Sequence, residues 1–115
     1  MIKYIFGIAT LLIVSTASLS AQNDVAKGKK FFNANCAACH RLDKKLIGPA
    51  LGNISQRREV KWTVSFIKDS KAMIAKGDKD AIEVYNKFNK IPMISYSNLS
   101  DNEILNIIAY LDSAK

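Results

Sequence analysis

Cys36-Ala37-Ala38-Cys39-His40 is the stretch on which the reading of this chain turns. It holds both cysteines and the only histidine among 115 residues. A disulfide closing so short a loop would contribute little to stability. A zinc site needs a fourth ligand, and the chain has neither a third cysteine nor a second histidine to supply one. A thioredoxin-like dithiol sits between a strand and a helix, and no alternating apolar run precedes Cys36. C-x-x-C-H is instead the pattern of covalent haem attachment, with both thiols becoming thioethers and the adjacent histidine binding iron. The expected cofactor is one haem c, held by Cys36 and Cys39, with His40 as a metal ligand.

Upstream, MIKYIFGIATLLIVSTASLSA carries one charge, Lys3, before Asp24. An apolar run from Tyr4 to Val14 is followed by small residues from Ser15 to Ala21, the layout of a secretory signal. The expectation is a signal peptide over 1–20, cleaved near Ser20 and Ala21, and one domain over 21–115. The product would be soluble and periplasmic. Left uncleaved, the charge-free run 4–21 is just long enough to span a bilayer, so an inner-membrane anchor is the alternative. No cysteine lies near the leader, which excludes a lipoprotein anchor.

Removing the leader takes away one lysine, so a formal charge of +7 becomes +6. It also removes much of the 49% hydrophobic content. A chain this short disfavours a multidomain enzyme, a polytopic membrane protein and a repeat array. Nucleic-acid binding has no recognisable module to carry it. The basic excess is either a solvated surface or a means of steering acidic partners, with Lys44, Lys45, Lys87 and Lys90 the candidates for steering.

The rest of the chain is patterned as helix. Asp24 is placed to cap a first helix running towards Cys36, with Val25, Gly28 and Phe32 on one side. Gly48-Pro49 and Gly52 mark a loop. Residues 59–76, with Trp62, Phe66, Ile67 and Ile74, form one or two helices, stopped by Gly77-Asp78, which also caps the next. Ala81, Val84, Tyr85 and Phe88 make an apolar stripe, and residues 89–99 form a loop holding Pro92 and Met93. Ser100-Asp101-Asn102-Glu103 fits a capping box before a last helix striped by Ile104, Ile107, Ile108 and Leu111. The fold class expected is all-α.

These features together resemble the small, single-haem class I c-type cytochromes over essentially the whole chain after the leader. Gly28 and Phe32 match that family's Gly-x-x-x-aromatic on the N-terminal helix, and Tyr110 matches its C-terminal aromatic. The resemblance implies that the two helices cross closely there. Ile47-Gly48-Pro49-Ala50-Leu51 is similar to the family's Gly-Pro-x-Leu loop, which implies that Pro49 offers its carbonyl to the N–H of His40. Met93 to Leu111 looks like the Met-loop and its Leu-Ser-Asp-capped terminal helix. Many members place proline after the ligand methionine, whereas here Pro92 precedes it. The fold implied is four to five short helices wrapped around the haem.

With one histidine, two histidines cannot bind the iron within this chain, which leaves Met73 and Met93 as thioether candidates beyond the leader. Met93, in a Pro-containing loop anchored by a capped helix, is the expected sixth ligand, ahead of Met73 and of water. Trp62 either touches the cofactor, lining its pocket or bonding a propionate, or packs as a core aromatic. Tyr85, Phe88 and Tyr96 read as pocket walls, and Arg57 and Arg58 as propionate partners or solvated side chains. The function expected is a one-electron carrier between larger redox proteins, with no catalysis and no small-molecule substrate. The alternatives are a haem enzyme or a gas- or peroxide-binding protein with an open distal site, and a dedicated subunit of an oxidase or dehydrogenase.

Overall fold

The computed structural model describes residues 23–114 together with Ile13. The expected leader and its cleavage site otherwise lie outside the described residues. Four α-helices and no strand occur among those described: α1 (Val25–Phe31), α2 (Val60–Ala75), α3 (Lys79–Lys87) and α4 (Asp101–Asp112). A π-helical segment, Phe32–Cys36, continues α1, and a 3₁₀ turn, Ile54–Gln56, precedes α2. The architecture is the all-α one that the patterning implied.

Three of the four α-helices start at a side-chain cap. The Asp24 carboxylate accepts the Lys27 N–H and caps α1. Ser100 accepts the Glu103 N–H while the Glu103 carboxylate accepts the Ser100 N–H, so the capping box forms as read. Gly77, at φ +86°, ends the preceding turn, a conformation that glycine adopts without a Cβ penalty. Asp78 then caps α3 by accepting the Ala81 N–H at 2.9 Å.

The N- and C-terminal helices cross at Gly28. A Cβ there would stand 1.9 Å from the carbonyl oxygen of Asn106. The Asn106 side chain in turn accepts the Asp24 N–H at 2.8 Å, so the start of α1 is tied to the middle of α4. Beside the crossing, Phe32 and Tyr110 pack at 5.4 Å between ring centroids, inclined by 60°. Phe32, Ile107 and Leu111 form one buried cluster, and Ile67, Ile104 and Ile108 form another. The stripe on α4 therefore serves two neighbours, α1 on one side and α2 on the other.

A polar and aromatic group joins α2 to α3. The Trp62 indole N–H donates to Asp78 at 3.1 Å, Trp62 stacks on Phe66, and Arg58 lies over the indole while pairing with Asp80. The Asp78 carboxyl is held below the usual carboxylate range, first by the Ala81 N–H and then by the Trp62 N–H. A depressed folded-state pKa stabilises the fold above the unfolded-state value, and that contribution fades as pH falls through the folded-state value. Asp78→Asn keeps a capping oxygen but not the charge. It should flatten the acid limb of stability, read as urea midpoints from about pH 6 to about pH 2. Identical acid limbs in the two proteins would remove Asp78 from that linkage.

Candidate functional site

A cavity of about 460 Å³ lies between the haem-motif segment, the Gly48–Leu51 loop, α2, α3 and the Met93 loop. This is the size range of cofactor sites. Its walls are mostly apolar, and Cys36, Cys39 and His40 all line it. Tyr85 and Phe88 of the α3 stripe line this cavity, as their reading as pocket walls expected; Val84 joins them, while Ala81 is fully buried. Phe88 sits one residue past the end of α3, because the chain turns through left-handed Asn89 and Lys90 directly after it.

His40 is buried, at 9% exposure, and its Nδ1 lies 2.9 Å from the Pro49 carbonyl. A carbonyl only accepts, so Nδ1 carries the proton and Nε2 keeps a lone pair free for a metal. Burial lowers the imidazole pKa and the Pro49 bond opposes that in part, so the neutral ligand form is the favoured one. Gly48 lies against the ring: a Cβ there would come within 2.4 Å of His40 Cε1. The Gly48 N–H also donates to the Cys39 carbonyl at 2.8 Å, which fixes the loop on the motif.

The two cysteines form no disulfide. Burial, with Cys39 adding to it, pushes the Cys36 thiol up to about 11. Arg41 donates to the carbonyls of Ala37 and His40 and braces the motif's own backbone. Arg57 spans the carbonyls of Gly52 and Ala50, at 2.7 and 2.9 Å, and so holds the loop that carries Pro49. Nothing in the local pattern distinguished these arginines from solvated ones, because their partners are backbone oxygens brought close by the loop.

Met93 lines the same cavity as His40, half-buried against the Ile67, Ile104 and Ile108 cluster. Met73, also half-buried, does not line it. Tyr96 contributes to the wall, packs edge-on against Phe31 and donates its hydroxyl to the Asn35 carbonyl at 3.3 Å. Trp62 lines the wall too, and its indole N–H is committed to Asp78. Among the described residues no group of three or more His, Cys, Asp or Glu side chains is placed to hold a metal by itself.

The sequence profile of the family described as Cytochrome c matches residues 25–115. The chain belongs to the cytochrome c family. A cytochrome c6 of Diacronema lutheri is 29% identical over 92 residues, covering 76% of this chain and 93% of that one. A cytochrome c-553-like protein of Synechocystis sp. is 36% identical over 66 residues, or 45% of this chain. The chain spans 63% of the length of that relative. A solved cytochrome c from Rhodothermus marinus has a TM-score of 0.67 at 30% identity, over 85% of this chain and 84% of that one. As a class I c-type cytochrome, the protein has covalent haem c as its cofactor, and the cavity fits it. Two thiols and a neutral imidazole with a free Nε2 line one apolar chamber. No helix among the described residues is long and apolar enough to cross a membrane.

Proposed function

We propose that this cytochrome c is an exported, soluble one-electron carrier between larger redox proteins, in which His40 and Met93 would bind the haem iron and Cys36 and Cys39 would hold the group as thioethers. The observation that carries the reading is that Met93 lines the chamber of His40 and Met73 does not. When bound, the haem iron supplies a reversible one-electron couple. The chain's task is to hold that group still and dry. His40 is aimed by the Pro49 carbonyl and backed by Gly48, and Met93 offers a soft, neutral sulfur that favours the ferrous state. Two protein ligands leave no position for oxygen, peroxide or a substrate, so the carrier performs no catalysis of its own.

The chamber opens at a rim suited to brief docking. Ile47, Ile91 and Ile94 line the cavity yet are 46%, 51% and 68% exposed. Lys44, Lys45 and Lys90 are exposed on the two loops that border it, Lys87 is exposed at the end of α3, and the Lys45 ammonium lies 5.2 Å from the centroid of Phe88. A small apolar contact bordered by positive charge favours fast, salt-sensitive encounters with acidic redox partners. Trp62 serves as a wall, and neither nucleic acid nor a membrane is a partner of the cleaved chain.

The test is the visible spectrum of purified protein, with carbon monoxide added after reduction. A weak far-red methionine–iron band in the oxidised form and slow, incomplete carbon monoxide binding are expected. Absence of the band with ready carbon monoxide binding would sink the carrier assignment in favour of an open-site haem protein. N-terminal sequencing of periplasmic protein should begin near Ala21; recovery in the membrane with Met1 retained would overturn the soluble part.

A further inference from the structure

Helix α2 does not run straight through. At Asp69 φ is −162° and ψ 82°, outside helical space, and helical geometry then resumes to Ala75. Neither proline nor glycine occurs in the helix, so the break has another cause. The Asp69 carboxylate accepts the Ala72 N–H at 3.0 Å, which is the geometry of a helix cap placed in mid-element. In an unbroken helix the Ile67 carbonyl would accept from the N–H of Lys71. Here it accepts the N–H of Tyr96 at 3.2 Å. The same Asp69 oxygen accepts the Ser95 hydroxyl at 3.3 Å.

Both bonds land two and three residues after Met93. Together with the Tyr96 hydroxyl on Asn35, they tie the 91–99 segment to other elements. We propose that Asp69 is a positioning residue for the distal loop: it breaks α2 so that the loop carrying Met93 hangs from the break, and thereby sets how long the thioether stays at the metal. This rests on the reading of Met93 as the distal ligand. The device joins a local cap, which restarts the helix, to a long-range anchor. Removing the carboxylate invites the helix to close across residue 69, reclaiming the Ile67 carbonyl and releasing Tyr96.

The experiment compares holoprotein of wild type, Asp69→Ala, Asp69→Asn and Ser95→Ala. It reads amide hydrogen exchange at Tyr96 and Ile107, the far-red band, and the rate at which imidazole displaces the distal ligand. Loss of one or two net hydrogen bonds predicts about ten-fold faster Tyr96 exchange and about ten-fold faster displacement in Asp69→Ala. Ile107 exchange should stay unchanged. Asp69→Asn keeps an acceptor oxygen at the same place and should restore both rates to near wild type. Ser95→Ala, which leaves the cap intact, should accelerate displacement by a smaller factor, and it carries the test if Asp69→Ala does not fold. Wild-type rates in Asp69→Ala, failure of Asp69→Asn to rescue, or Ile107 exchange rising in step with Tyr96 would each overturn the proposal. If wild type itself lacks the far-red band, the Met93 assignment falls, and Tyr96 exchange in Asp69→Ala then decides the anchor alone.

Discussion

Met93→Ala is expected to keep the haem attached while lowering the reduction potential by roughly 200 mV, a fraction of the ~0.8 V that axial ligands command. The direction follows from the sulfur. A neutral thioether stabilises ferrous iron over ferric, and water or hydroxide in its place reverses that preference. Attachment is preserved because Cys36, Cys39 and His40 stand on a separate segment, braced by Arg41, Gly48 and Pro49. Truncating a half-buried side chain that packs on Ile67, Ile104 and Ile108 should cost about 2 kcal/mol of stability as well. The reduced variant should bind carbon monoxide readily. Met73→Ala, outside the cavity, is the control and should leave potential and spectrum unchanged. If Met73→Ala abolishes the far-red band and Met93→Ala retains it, the ligand assignment is reversed.

Gly28→Ala is expected to be the most damaging single change away from the cofactor. A Cβ would sit 1.9 Å from the Asn106 oxygen, 2.6 Å from its carbon and 3.0 Å from the Ile107 Cα, all backbone atoms of α4. No rotamer change relieves such a contact, so the helices must separate. Separation also loosens the Phe32–Tyr110 packing and the Asp24–Asn106 bond. A cost of ~3 kcal/mol, at the upper end for overpacking, corresponds to a thermal midpoint lower by about 15 °C in a domain of this size. Replacing Gly77, where a Cβ meets nothing within 4 Å but φ is +86°, is a useful contrast because strain there is local. A Gly28→Ala midpoint within a few degrees of wild type would mean that the crossing yields more easily than its backbone contacts imply.

What was legible in the sequence was whatever a residue does to its own neighbourhood. Asp24, Asp78 and the Ser100–Glu103 pair cap helices because a short polar side chain reaches an N–H two or three positions on, and sequence spacing contains that geometry. The α4 stripe was legible for the same reason, since 3.6-residue periodicity is a local property. The break in α2 was not. Residues 59–76 left one or two helices open, because the groups that complete the break, Ser95 on Asp69 and Tyr96 on the Ile67 carbonyl, lie more than twenty residues away. Apolar periodicity reports burial and not what covers it, so the α3 stripe could be assigned to the pocket wall only once the C-x-x-C-H motif had called for a cofactor. Trp62 illustrates the limit in one residue: an indole seeks an acceptor, but only the fold brings Asp78 to it.

The apolar chamber facing α3 has a consequence for how the folded state depends on its surroundings. Val84, Tyr85 and Phe88 line that chamber and look to the cofactor. A protein completed by a dissociable ligand is stabilised by mass action, and dilution weakens it. In a compartment from which the ligand could be washed away, such a protein would lose its interior whenever the ligand left. Two thioethers remove concentration from that equilibrium, so that this part of the core travels with the chain and is always present at full strength.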